Sequence, residues 1–164
     1  MLCAPALAQQ KCEPGTALQS TPDERYEDNR DGTVTDRKLK LMWMRCSAGQ
    51  QWSAGRCSGA AGSYTLEAAR QLASEFNQGG SFFYSDWRLP QLKEIASLIE
   101  TRCASPRVNL AVFPDTPAGI YWSTTPRAGM KDASLFYALG FGDDGVTYQR
   151  IDQPSHVRFV RRAQ

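Results

Sequence analysis

The 164-residue chain holds a single histidine, no Cys-x-x-Cys pair and no Gly-x-Ser-x-Gly turn. Zinc sites favour closely spaced thiols, and a nucleophilic triad needs an imidazole beside its nucleophile, so both chemistries lack their usual carriers. No apolar run approaches the roughly 20 residues a helix needs to cross a bilayer. Neither charge sign dominates: the net charge is +2 at pH 7, and no basic stripe marks the chain as a nucleic-acid binder. Internal repeats and low-complexity tracts are absent from the sequence.

What remains is an ordinary globular composition, 41% hydrophobic and 22% charged, in a length that suits one domain with a real core. The opening MLCAPALAQQ carries Leu2, Cys3, Ala4, Ala6 and Leu7 as an apolar run. Ala6-Leu7-Ala8 fits the small-x-small rule before a cleavage site, so residues 1–8 are expected to be the remnant of a secretory signal peptide. Cys3 would leave with it. Cys12, Cys46, Cys57 and Cys103 remain, an even set suited to an oxidising compartment. Cys46 and Cys57 flank the Gly/Ser-rich SAGQQWSAGR, which favours a local Cys46–Cys57 bridge and leaves Cys12–Cys103 as the second. Residues 9–24 read as a polar N-terminal leader held mainly by Cys12, and 25–164 as a single domain.

Periodicity then sets the elements. RYEDNRDGTVTD predicts a hairpin about its Asn/Asp/Gly cluster. LKLMWMR predicts a strand, Leu39 to Arg45, with Leu39, Leu41, Trp43 and Arg45 on one face. In SYTLEAARQLASEFN, Leu66, Ala69, Leu72, Ala73 and Phe76 recur at helical spacing behind a Thr65 N-cap, with Gly79-Gly80 as the stop. A second helix starts near Gln91 after Pro90, with Leu92, Ile95, Ala96 and Ile99 as its buried stripe. Residues 104–119 read as a loop anchored by Phe113. GIYWSTT, ASLFYALGF, VTYQRI and HVRFVRR follow as strands, with GDDG as a turn. Strands, helices, then strands again make the class α+β.

Four of these pieces, in this order, resemble one family. DNRDGTVTDRKLKLMW is similar to its N-terminal signature, DWRLPQLKEIASLI to its central helix motif, and YWSTT and VRFVRR to its last two blocks. Over residues 25–162 the chain thus resembles the Lcl C-terminal domain family of exported bacterial domains, named for a collagen-like adhesin. The resemblance implies a C-type-lectin-like fold: antiparallel strands with two helices and long loops, here stapled by disulfides. It also implies an adhesion role, the adhesin itself binding sulfated glycosaminoglycans as a trimer. Where the family has Thr-x-x-Glu after the proline, this chain has Gln91 to Glu94, a weaker cap that Glu94 still completes from one side.

Constellations that could carry chemistry fail on residue type. Aligned as an EF-hand through Gly32, EDNRDG places Lys38 where a bidentate Glu is required, so the segment reads as a turn. Lectin-type calcium binding needs a Gln-Pro-Asp where this chain has Gln153-Pro154-Ser155, and a Trp-Asn-Asp where it has Asp86-Trp87-Arg88. Asp143 and Asp144 precede Gly145 as hairpin residues do. His156 reads as a histidine at a strand start. Neither metal nor cofactor is expected, and no enzyme activity. A hydrolase or oxidase on this scaffold would need Cys57, Cys103 or His156 exposed and reactive.

The best candidate surface is the C-terminal hairpin. Alternation places Tyr148 and Arg150 on one strand face and His156, Arg158 and Arg162 on another, with Arg161 adding charge. Arginine forks suit sulfate, phosphate and carboxylate groups. Trp52, in the disulfide loop, is a candidate for stacking on a ligand. The sequence thus reads as a secreted or periplasmic, non-enzymatic recognition module. Its partner would be an acidic or sulfated glycan, or an envelope or extracellular protein; homo-oligomer formation is left open. The alternative is a structural accessory subunit of a pilus, surface assembly or exported complex. Asp86 to Ile99 reads as scaffold, with Trp87, Leu89 and the Leu92/Ile95/Ile99 stripe in the core.

Overall fold

The computed structural model describes residues 10–14, 18–79, 84–129 and 133–164. The expected signal remnant, residues 1–8, and Gly80 lie outside them. The described chain is α+β, made of small antiparallel sheets with two helices. The N-terminal strand β1 (Lys11–Cys12) pairs with β7 (Cys103–Ala104), and Cys12 is bonded to Cys103 directly across that register. Gln10 extends the attachment by donating to the Pro106 and Val108 carbonyls at 2.6 and 2.7 Å.

The hairpin forms from β2 (Tyr26–Asp28) and β3 (Thr33–Asp36). Its acidic residues close the turn: Asp28 accepts from Arg30 N–H at 2.8 Å, and Asp31 from Thr33 N–H at 2.9 Å. At the far end Asp36 is 0% exposed. It is satisfied by the Arg25 fork and by the Lys38 and Leu39 amides, which fixes the following turn.

The next strand departs from the expected alternation. β4 spans Leu41–Met44 and all four residues are buried, while Leu39, 41% exposed, sits in the turn. The cause is topological. β4 lies inside the sheet ordered β11 (Val160–Arg162), β4, β3, β2, and both of its faces are covered. Leu41 and Trp43 join one core cluster, with Phe113, Tyr121 and Leu139; Met42 and Met44 join the other, with Leu66, Trp87 and Trp122. A strand buried on both sides reads as a continuous apolar run.

The short hairpin β5 (Gln51–Ser53) and β6 (Arg56–Ser58) carries the Cys46–Cys57 disulfide. Helix α1 (Leu66–Gly79) begins behind Thr65, whose Oγ1 accepts from Ala68 N–H at 3.3 Å, and buries Leu66, Ala69 and Ala73. Helix α2 (Leu92–Ala96) is only five residues long. Glu94 accepts from Gln91 N–H at 2.7 Å. The turn that follows it buries Leu98 beside Ile95 and leaves Ile99 half-buried, so the apolar stripe is shifted from the expected one.

DWRLP is scaffold held from outside itself. Asn77 clamps the Trp87 backbone with two bonds of 2.9 Å. Asp86 and Arg88 do not pair with each other: Asp86 accepts from the buried Arg161 at 2.6 Å, and Arg88 grips Glu94 at 2.7 and 2.8 Å. Residues 104–119 are a loop anchored by Phe113, and Arg45 staples it by donating to the Ala111 and Val112 carbonyls at 3.0 and 2.8 Å. The last sheet is ordered β10 (Gly145–Arg150), β9 (Leu135–Gly140), β8 (Ile120–Pro126).

Candidate functional site

The six candidate ligand residues fall in five separate places. Arg158 is the clearest departure: it is 0% exposed and takes no part in a surface. Its guanidinium donates to the Met44 carbonyl at 3.0 Å, to the Arg45 carbonyl, to Ser47 Oγ at 3.3 Å and to Thr116 Oγ1 at 2.7 Å. The expected face failed because 156–159 is not a regular strand: His156 bridges in parallel to Tyr121, and β11 begins only at Val160. Arg161, the other added charge, is buried against Asp86 with its guanidinium 3.8 Å over the Tyr84 ring.

His156 lines a cleft of about 820 Å³ together with Gln50, Arg56, Asp115 and Thr116. Its Nδ1 lies 2.7 Å from the Gly62 carbonyl, which can only accept, so Nδ1 carries the proton. The ring packs against Tyr121 and into space left by Gly119, where a Cβ would strike it. Arg56 and Asp115 meet at 2.7 Å in the same cleft, and Asp115 also accepts from Cys57 N–H at 2.9 Å. Trp52 lies in a different hollow. Arg45 stacks 4.4 Å over its ring, and a Cβ at Gly32 would fall 2.8 Å from its Cγ, so Trp52 is fixed against the hairpin turn. Gly32 holds φ +92°, which suits glycine. Tyr148 and Arg150 project from β10, as alternation predicts, with Arg127 3.8 Å over the Tyr148 ring.

Arg162 marks the fifth place, a cleft of about 430 Å³ between the turn before β4, helix α2 and the end of β11. Its charged lining is Lys40, Lys93, Glu94 and Arg162, with Leu39, Leu41 and Ala163 as the apolar part. Lys40 is set by its backbone: φ is 56°, its N–H donates to Asp36 O at 2.9 Å, and its carbonyl accepts from Ala163 N–H at 3.0 Å. The lone carboxylate is committed, since both Glu94 oxygens receive Arg88 and one also receives Gln91 N–H. Lys40, Lys93 and Arg162 are all exposed. Three cations that donate can hold an oxyanion.

The family model of the Lcl C-terminal domain matches residues 32–161, most of the chain. The chain belongs to the Lcl C-terminal domain family. No curated protein matches it. The Lcl match begins at Gly32 in the hairpin turn, so β2 precedes it, and it takes in DWRLP, YWSTT and most of VRFVRR. Membership points to an extracellular, adhesion-type module. The two disulfides are compatible with export, and among the described residues no helix is long and apolar enough to cross a membrane.

Within this Lcl domain, Lys40 and Lys93 escaped the sequence reading. They lie far apart in the chain. The register that sets Arg162 opposite Leu41 brings the first beside the C-terminal strand, and no local signal encodes that.

Two carboxylates give the fold a pH dependence. Burial pushes the Glu94 carboxyl up, but the bonds from Arg88 and Gln91 and the charges of Arg88 and Arg162 outweigh it and hold it below its ordinary value. Glu100 is also lowered, burial being outweighed by the amides of Thr21, Arg102 and Ser20 and the Thr21 hydroxyl. Groups lowered on folding stabilise while ionised, in full above the ordinary carboxylate range. That contribution drains as pH falls through the lowered values, from about pH 5 downward. Urea midpoints measured across that range are expected to fall, and Glu94→Gln to flatten the fall.

Proposed function

We propose that the chain is a non-enzymatic recognition module of the adhesion type, exported to the periplasm or cell surface on a C-type-lectin-like scaffold. Its ligand is an acidic or sulfated glycan, held in the cleft of Lys40, Lys93 and Arg162. The observation that carries this reading is the charge pattern there: three exposed cations face a single carboxylate already bound by Arg88. A sulfate or uronate entering the cleft meets donors and no uncommitted negative charge.

Relative to the sequence reading, the basic surface stays at the C-terminus but changes members. Arg162 remains, Arg158 leaves, and two lysines join.

Binding of the mature protein to sulfated, sialylated and neutral glycans at two salt concentrations tests the proposal. Sulfated glycans are expected to bind, more weakly at high salt. Lys40→Ala combined with Lys93→Ala and Arg162→Ala is expected to cost about tenfold or more, since each charged hydrogen bond contributes about 1 kcal/mol or more. Undiminished binding by that variant would remove the cleft from the account, and glycan turnover would remove its non-enzymatic reading. A blank array would shift weight to an accessory subunit of a surface assembly, which the exposed edge strand Gly145–Arg150 favours.

A further inference from the structure

The cleft lined by His156, about 820 Å³, shares no residue with that of Lys40, Lys93 and Arg162 and differs from it in chemistry. Pro106, Leu110, Pro114, Pro117, Ala60 and Ala61 supply its apolar lining. Its formal charges, Arg56 and Asp115, cancel. Ligand clefts of this size combine apolar walls with a few converging polar groups.

Each polar group here is fixed by the fold and keeps unspent capacity. Nδ1 of His156 donates to the Gly62 carbonyl, so Nε2 presents a lone pair. Nε2 has no partner among the described residues, and it is not one of their sealed, unpaired polar atoms, so it meets solvent where His156 lines the cleft. Gly119 keeps that ring edge uncovered: a Cβ there would lie 2.5 Å from Cδ2 and 2.7 Å from Nε2. Asp115 sits at φ 54°, in the left-handed region. Gln50 Nε2 donates to its carbonyl at 3.0 Å, Cys57 N–H to Oδ2 at 2.9 Å and Arg56 Nη2 to Oδ1 at 2.7 Å. Such a backbone persists where its surroundings over-determine it, and ligand clamps are among the places where it recurs. Each carboxylate oxygen of Asp115 retains a lone pair. Arg56 spends one nitrogen on Asp115, and its Nε and Nη1 have no partner among the described residues. Gln10 spends its Nε2 on the Pro106 and Val108 carbonyls, which leaves Oε1 as a further acceptor.

Acceptors on His156, Asp115 and Gln10 thus stand with donors on Arg56. An anion entering the cleft would meet Asp115 and two more acceptors, and a cation would meet Arg56. A hydroxyl both donates and accepts, so neighbouring hydroxyls on one ring can engage a carboxylate oxygen and a guanidinium nitrogen together. The C–H faces of such a ring suit walls of proline and alanine. We infer that this cleft is a second ligand site, which takes a neutral sugar unit, free or within a longer chain. Its recognition rests on hydroxyl geometry and not on net charge, so it goes beyond the acidic-glycan reading and stands without it.

Saturation-transfer NMR titrations of the mature protein with glucose, galactose, mannose and N-acetylglucosamine, and with neutral di- and trisaccharides of each, test it. At least one sugar is expected to bind, with an affinity that changes by less than about twofold between low and high salt, because no net charge is neutralised. Ala60→Trp fills the cleft from an exposed position, and Arg56→Met removes the free donors while keeping the stem. Each is expected to weaken binding about tenfold or more and to leave the urea midpoint unmoved. The combined Lys40→Ala, Lys93→Ala and Arg162→Ala variant is expected to bind neutral sugars as wild type does, which separates this site from the acidic-glycan cleft. Binding of free monosaccharides would mark a site for a single unit. Binding of the longer sugars alone, weakened by the same two variants, would mark a site for one unit of a chain. No binding of any neutral sugar, binding indifferent to Ala60→Trp and Arg56→Met, or binding lost in the lysine and arginine variant would overturn the inference.

Discussion

Arg158→Ala is expected to destabilise the fold by about 4 kcal/mol, read as a lowered urea midpoint. The guanidinium is fully buried, and among the described residues no carboxylate neutralises it. Burial accordingly pulls its pKa down, with Tyr121 opposing the shift. Two backbone carbonyls and two hydroxyls hold it instead, and it lies 4.9 Å from the Phe113 ring. Truncation would strand the Met44 and Arg45 carbonyls in an apolar interior and leave a cavity between the β4 sheet and the Phe113 loop. Each stranded acceptor costs about 1–3 kcal/mol, and the cavity adds to that. Arg158→Met refills much of the volume without supplying donors, so it is expected to fall between alanine and wild type. If Arg158 were a ligand contact, alanine would weaken binding and leave the urea midpoint unmoved.

The second large effect belongs to the long-range disulfide. Replacing Cys12 and Cys103 by serine is expected to cost up to about 4.6 kcal/mol, because the bond closes a loop of 91 residues in the unfolded chain. The same arithmetic gives about 3 kcal/mol for Cys46–Cys57, with a separation of 11. Thermal unfolding of the two double variants is expected to rank them in that order. The loss at Cys12 would also release Gln10 from the Pro106 and Val108 carbonyls, so protease cleavage should move into the leader first.

What the sequence disclosed and what it hid divide along a physical line. The hairpin at residues 26–36, helix α1 behind Thr65 and the scaffold role of Trp87 were legible, because turn residues, caps and 3.6-residue periodicity are local signals. Strand β4 was misread as one-faced because its coverage comes from two separate clusters, a property of topology and not of LMWM itself. The C-terminal arginines show the same limit more sharply. Arg158, Arg161 and Arg162 look alike in VRFVRR, yet two are buried and one is exposed. What separates them is where acceptors lie: carbonyls at 44 and 45 and hydroxyls at 47 and 116 for Arg158, and Asp86 for Arg161. Residues more than 40 positions away decide that, and strand alternation cannot see them.

The cleft of Lys40, Lys93 and Arg162 is legible in the sequence only through Arg162. Lys40 lies in a turn fixed by Asp36, and Lys93 on a helix of five residues. Their convergence depends on β4 and β11 pairing at Leu41 and Arg162.

The most direct test of the account is the salt dependence of binding to a sulfated polysaccharide, measured for wild type and for the combined Lys40→Ala, Lys93→Ala and Arg162→Ala variant. Cations that neutralise a polyanion release its counterions, so log affinity falls linearly with log salt in proportion to the contacts made. The wild-type slope is expected to exceed that of the variant by roughly two to three, with weaker binding by the variant at every salt concentration. Equal slopes and equal affinities would contradict the account and place the ligand, if there is one, away from this cleft.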